Sequence, residues 1–240
     1  MENTVIEYFD GTQRLVGELI IDNEAKAKKT SVILFPAFEG RGDFTLEYAQ
    51  KLAKFGFATF IADMYGDAKN AKTIEECFAL ITPFLQDRQL VRRRAVLAYE
   101  ILKKQVSVSE NKINAVGFCF GGMCVLELAR SGINLHAGVS MHGVLGKSNL
   151  QTQPIKSKLL VLHGYEDPQS PPDVLEKFAQ EMKEANVEDW SFLFFGRAKH
   201  SFTDPKTGTF DPIKEKEMGR EYHTVAAERS FQYCLNFFEE

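Results

Sequence analysis

The sequence predicts an α/β domain, a mostly parallel central sheet covered by helices on both faces. Three observations carry this reading. From Ser31 onward, short apolar runs alternate with longer stretches of helical period. The apolar runs are nearly unbroken, as strands buried on both faces require. One of them, Ile113–Phe118, ends in Gly117-Phe118-Cys119-Phe120-Gly121-Gly122 and passes directly into a helix-compatible stretch.

Residues 5–9 and 15–21, joined through Asp10-Gly11, read as an N-terminal antiparallel hairpin spanning about 5–21. A strand at 31–35 is followed by a helix at 45–55 and a strand at 58–62. Helical periodicity then runs from 73 to 105 with an interruption near Pro83. Next come a strand at 112–118, a helix at 122–130, and strands at 137–141 and 158–162. The series closes with a helix at 172–185, a strand at 191–195 and a helix at 222–238. Met123, Cys124, Val125, Leu126, Leu128 and Ala129 make the 122–130 helix apolar nearly all round, which suits a central buried helix. No repeat or linker divides the chain, so residues 1–240 are expected to form one domain. Residues 196–220 are rich in Gly, Pro and Lys with little periodicity, and read as a lid or binding loop.

The glycine-flanked cysteine reads as a nucleophile elbow. A sharp strand-to-helix turn lifts the central side chain above the sheet, and small residues two positions either side prevent backbone clash. The following helix aims its N-terminal amides and positive dipole end at the sulfur, which favours thiolate and a developing oxyanion. Taken by itself the pattern is weak evidence. Two further placements strengthen it. The run Lys158-Leu159-Leu160-Val161-Leu162-His163-Gly164 delivers Asp167 three residues later, and the run at 191–195 leads to His200 in a loop. Nucleophile, acid and histidine, each just past the carboxyl end of a strand, follow the chain order of α/β-hydrolase triads.

These motifs resemble the dienelactone hydrolase family, whose pattern includes Gly-x-Cys-x-Gly-Gly, a His-Gly-x-x-Asp turn and a glycine-led His-x-Phe segment. Here they stand at 117–122, 163–167 and 196–202, and the resemblance runs from about Val32 to the C-terminal helix. It implies an α/β-hydrolase fold and hydrolysis of an ester or lactone through a thioester acyl-enzyme. On that match Cys119 is the nucleophile, His200 the general base and then acid, and Asp167 the group that orients the imidazole. The segment after the 31–35 strand is where hydrolases of this fold supply the second oxyanion donor, so the backbone amides of Phe38 and Phe120 are expected to form the oxyanion hole. No cofactor is implied.

The resemblance also marks two departures. In the family a glutamate from the loop after the 31–35 strand hydrogen-bonds the resting thiol, and its simplest aligned position here is Ala37. Two roles stay open for Glu39, a thiol-modulating carboxyl at a shifted position or a loop residue paired with Arg41. Family members that act on dienelactone hold its carboxylate with arginines, one of them four residues after the histidine. That position is Asp204, and the other arginine has no secure counterpart beside Lys69 and Lys72. An acid there repels an anionic substrate, so a neutral or cationic ester is as plausible. Phe202, with Phe38, Phe44, Tyr65, Phe118 and Phe120, offers an apolar wall.

Composition narrows the alternatives. With 29 Lys+Arg against 33 Asp+Glu the formal charge is −4, which argues against a nucleic-acid or anionic-membrane partner. The one basic cluster, Arg92-Arg93-Arg94, lies in a helical pattern and reads as a solvated face. No apolar run approaches the length of a membrane span, and the N-terminus lacks the pattern of a signal peptide. Four cysteines without metal-ligand spacing or disulfide density fit a reducing, cytoplasmic setting. No His, Asp and Glu cluster has metal-ligand spacing. His142 and His163 have no acidic partner at helical or turn spacing and read as structural; His136 and His223 read as surface. The expected partner is a small-molecule ester or lactone, bound by a monomer or small homo-oligomer. The rival readings are an esterase or thioesterase of an unrelated neutral substrate, a non-catalytic ligand receptor on the same fold, and a redox sensor built on Cys119.

Overall fold

A computed structural model of the chain describes residues 1–25, 30–105 and 112–240. Strand β1 (Glu2–Asp10) pairs antiparallel with β2 (Gln13–Ile21) through the tight turn at Gly11, whose φ of 62° favours glycine. The remaining strands are β3 (Ser31–Phe35), β4 (Ala58–Ile61), β5 (Ile113–Phe118), β6 (Ala137–Met141), β7 (Lys158–Gly164) and β8 (Trp190–Phe195). They form one eight-stranded sheet in the order β1-β2-β4-β3-β5-β6-β7-β8, with β2 antiparallel to β4 and every later pairing parallel.

Side chains alternate across the sheet and so feed two cores. Ile33 and Phe35 join Val91, Ala95 and Met123, from α3 (Arg88–Gln105) and α4 (Phe120–Arg130). Val32 and Leu34 face the other way, towards Ala49, Leu52, Phe231 and Leu235 of α1 (Asp43–Lys54) and α7 (Thr224–Glu239). A third cluster packs α5 (Pro172–Glu184) through Phe178 and Met182 against Leu126, Leu159 and Val161. No helix among the described residues is long and apolar enough to cross a membrane.

Four expectations need correction. The helical stretch from 73 onward does not break at Pro83, which lies inside α2 (Ile74–Gln86). It breaks at Asp87, whose Oδ1 accepts from the amides of Gln89 (2.9 Å) and Leu90 (3.1 Å) and so caps the start of α3. Residues 196–220 are not structureless throughout, because Asp211 caps a short helix, α6 (Pro212–Glu217), with Pro212 at its first turn. The arginine cluster is a solvated face only at Arg93, which is exposed, while Arg92 and Arg94 are largely covered. Arg92 binds Glu127 of α4 at 2.9 Å, and Arg93 and Arg94 clasp the two carboxylate oxygens of Asp10, at 2.7 and 2.9 Å, fastening α3 to the hairpin. His223 is half-buried and caps α7, accepting from the Ala226 amide at 3.2 Å.

Candidate active site

The chain reverses direction between β5 and α4 in a single residue. Cys119 has φ 52° and ψ −112°, a left-handed backbone that a side-chain-bearing residue adopts only under constraint. Glycines supply that constraint. A Cβ on Gly117 would sit 2.0 Å from the Gly121 carbonyl oxygen, and one on Gly121 would sit 2.0 Å from that of Phe35. The Cys119 amide donates to Met141 O at 3.1 Å, which ties the elbow to β6. Helix α4 begins at Phe120, two residues earlier than the sequence reading, so its N-terminus abuts the cysteine directly.

Asp167 follows β7 in a tight turn, its amide donating to Gly164 O at 3.1 Å and its Oδ1 accepting from the Gln169 amide at 2.8 Å. Gly164 lets the His200 loop close over it, since a Cβ there would lie 2.4 Å from Ala198 O. His200 is clamped by its own backbone, donating to Gly219 O and accepting from the Glu221 amide, both at 3.0 Å. Its Nδ1 lies 2.8 Å from Asp167 Oδ2, and both side chains are buried. Nε2 is buried without a hydrogen-bond partner. Burial opposes a charge on His200, but the charge of an ionised Cys119 and the hydrogen bond to Asp167 outweigh it and raise its pKa to about 9. Burial also pushes Asp167 upward, yet the hydrogen bond and charge of His200 hold its carboxyl below the usual range.

The geometry thus brings together Asp167 and His200, with Cys119 the group that most strongly favours charge on the imidazole. Phe120 follows Cys119 directly, and Phe38 belongs to the same core cluster as Phe120. Tyr65 links them, donating to Phe38 O at 2.9 Å while stacking on the Phe120 ring at 5.5 Å. Among the described residues, no backbone hydrogen bond takes up the amide of Phe38 or of Phe120. Glu39 is buried with Oε2 unpartnered, and burial lifts its pKa to about 7. It is not paired with Arg41, which turns away to Glu18 at 2.6 Å and to Val16 O. Asp204 and Glu39 line one cavity of about 190 Å³, where burial raises the Asp204 carboxyl. Phe202 is fully buried against Phe195 and His142 and is not among the residues lining that cavity. Cys77, Cys124 and Cys234 are buried and free.

Four residues were not read as part of the site from sequence. His163, expected to lack an acidic partner, places Nε2 3.4 Å from Asp167 Oδ2 across four residues of turn. His142, at the end of β6 with φ 39°, packs its ring 5.2 Å from that of His200 and bonds Thr203 Oγ1 at 2.7 Å. Arg220 and Glu215 enter from the far end of the 196–220 segment and pair at 3.1 Å. A histidine at a strand end was the only available signal for the first two. Nothing local pointed to the second pair, because their approach depends on how that segment folds back.

An eight-stranded sheet of this order, a strained strand-to-helix cysteine and a buried His–Asp pair define an α/β-hydrolase fold. A family model described as the dienelactone hydrolase family matches residues 17–240, and the chain belongs to that family. The crystal structure of a dienelactone hydrolase-like promiscuous phosphotriesterase from metagenomic libraries is 36% identical, with a TM-score of 0.91 over 99% of this chain and 97% of the other. A Caenorhabditis elegans protein, K02A2.1, is 32% identical over 155 residues, 62% of this chain and 93% of its own length. A mouse carboxymethylenebutenolidase homolog is 22% identical over 78% of this chain and 75% of its own.

Proposed function

We propose that the chain hydrolyses carboxylic esters or lactones with Cys119 as nucleophile, His200 as acid and base, and Asp167 as its orienting carboxylate. The observation that carries this is the 2.8 Å contact between His200 Nδ1 and Asp167 Oδ2, with the opposite ring nitrogen left free and buried. The carboxylate fixes the tautomer and stabilises the imidazolium, so Nε2 is the atom that trades protons with the sulfur. The Cys119 thiolate attacks the carbonyl carbon, and the amides of Phe38 and Phe120 receive the oxyanion. His200 protonates the departing alkoxide, leaving a thioester on Cys119. It then takes a proton from water, the hydroxide attacks the thioester, and the acid departs as the thiolate returns. Thiolates suit esters with good leaving groups and are poor against amides, so peptidase activity is not expected.

The same machinery supports a second reading, favoured by the 36% identity to the phosphotriesterase structure. A phosphoryl oxygen would occupy the two amides, and the intermediate would be a cysteine phosphorothiolate. As for setting, four free cysteines fit a reducing, cytoplasmic compartment, and we read the chain as one domain acting as a monomer or small homo-oligomer.

The test is turnover of p-nitrophenyl esters, lactones and an aryl dialkyl phosphate by the wild type and by Cys119→Ala. The variant should lose at least about 10³-fold in kcat/KM while its circular dichroism is unchanged. Retained activity would remove the nucleophile assignment, and mass spectrometry of the His200→Gln variant should show an acyl group on Cys119.

A further inference from the structure

The cavity of about 190 Å³ lined by Glu39, Asp204, Glu215 and Arg220 has an unusual set of unsatisfied groups among its wall residues. Arg220 is 6% exposed and Glu39 7%, while Glu215 is 1% exposed. The Arg220 Nε donates to Glu215 Oε1 at 3.1 Å, but its Nη1 has no partner, and neither has Oε2 of Glu215 or of Glu39. One buried donor and two buried acceptors therefore belong to side chains that line the same small space. Buried polar groups left unmade cost free energy, so such a wall is complementary to a ligand that fills both roles.

Its position ties it to the reacting centre. Arg220 forms a β-bridge with His200, and its guanidinium lies 4.4 Å over the ring of Phe38. Charge then selects the ligand. Glu39, Glu215 and Asp204 surround one guanidinium that Glu215 already engages, so a free carboxylate meets net repulsion. The two lysines of the wall are already engaged there, Lys206 by Asp43 at 3.0 Å and Lys72 by Asn70. An ammonium is drawn by the carboxylates but has no lone pair with which to accept from Arg220 Nη1. A neutral hydroxyl escapes both penalties, donating to a carboxylate oxygen and accepting from Nη1.

We propose that Arg220 and Glu39 form a specificity subsite for a hydroxyl group on an otherwise neutral ester, with Glu215 holding the guanidinium in place. The proposal rests on the ester-hydrolase reading of the site. Arg220 lies over the ring of Phe38, whose amide is one of the proposed oxyanion donors, so acyl chains hydroxylated near the scissile carbonyl are the matching class.

The experiment uses p-nitrophenyl propanoates carrying hydrogen, hydroxyl, methoxy, carboxylate or ammonium at carbon 2 and, separately, at carbon 3. At one of these positions the hydroxyl ester should exceed the hydrogen and methoxy esters by about 10- to 100-fold in kcat/KM, mainly through KM. The carboxylate should be the poorest substrate. Glu39→Leu and Arg220→Met should each bring the hydroxyl-to-hydrogen ratio close to one; if Arg220→Met does not fold, Glu39→Leu carries the comparison. Equal turnover across both sets, or a preference for either charged group, overturns the subsite and leaves ester hydrolysis standing. No turnover of any member instead sinks the hydrolase reading. Calorimetry of the matching propanamides then decides the subsite by itself: tighter binding of a hydroxylated amide by about tenfold supports it, and equal binding overturns it.

Discussion

His163 Nε2 lies 3.4 Å from Oδ2 of Asp167, the oxygen that also takes the hydrogen bond from His200. Burial outweighs the pull of that carboxylate and holds the His163 pKa down at about 4, against an ordinary 6.5. Between those values the unfolded chain binds a proton that the folded chain does not, so stability falls as pH drops from 6.5 towards 4. The contribution is about 3 kcal/mol at most. His142, held well below its ordinary value by burial and by the charge of His200, acts in the same direction. Thermal melts should therefore show a Tm that falls between pH 7 and pH 4.5, and falls less steeply in His163→Phe. A variant with an unchanged slope would show that His163 does not carry this linkage.

His200 works the opposite way. Its raised pKa keeps the imidazolium to about 9, so in the proposed mechanism the acid that protonates the leaving group is lost above that pH. We expect kcat/KM for an alkyl ester, whose alkoxide needs that proton, to decline above about pH 9. Asp167→Asn removes the carboxylate that stabilises the charged ring, so the alkaline limb should move to lower pH as overall activity drops. A pH–rate profile of both proteins decides it, and an unmoved limb would exclude His200 as its source.

Backbone contact at the elbow sets a third expectation. Gly121→Ala pushes a methyl group into the Phe35 and Pro36 carbonyls, neither of which is free to move. That should cost several kcal/mol, at or above about 3. Gly146→Ala meets nothing within 4 Å and should stay within about 0.5 kcal/mol of wild type in urea unfolding.

Glu127 is the hub of a buried ion network. Its Oε1 takes Arg130 at 3.1 Å and its Oε2 takes Arg92 at 2.9 Å, while Arg130 also binds Glu181 at 2.7 Å. Removing one member leaves buried charge unpaired, so Glu127→Gln should destabilise by about 3 kcal/mol and Glu127→Leu by more. Chemical denaturation reads this directly, and a loss under 1 kcal/mol would mean that Arg130 finds full compensation in Glu181 and the Leu145 carbonyl.

Much of this fold is local in origin and could be read along the chain. The run Ser31-Val32-Ile33-Leu34-Phe35 is apolar on both faces because both faces are covered, and the sequence boundaries coincide with β3. The glycines around Cys119 announce the elbow because nothing else fits between β5, α4 and the Phe35 carbonyl. The misreadings share another origin. Pro83 is tolerated near the end of α2, and the break moves to Asp87 because a carboxylate there caps α3. Arg92, Arg93 and Arg94 read as solvated because their partners, Glu127 and Asp10, are distant in sequence.

Sequence alone determined that the chain alternates strand and helix, that a cysteine sits at a strained turn, and that an acid and a histidine follow at later strand ends. Those are properties of period, glycine placement and order, which need no knowledge of distant neighbours. Only the tertiary structure decided that Asp167 answers two histidines, that Arg41 abandons Glu39 for Glu18, and that Arg220 returns to the wall beside Phe38. Each of those depends on which side chains burial forces together, and burial is set by the whole sheet at once.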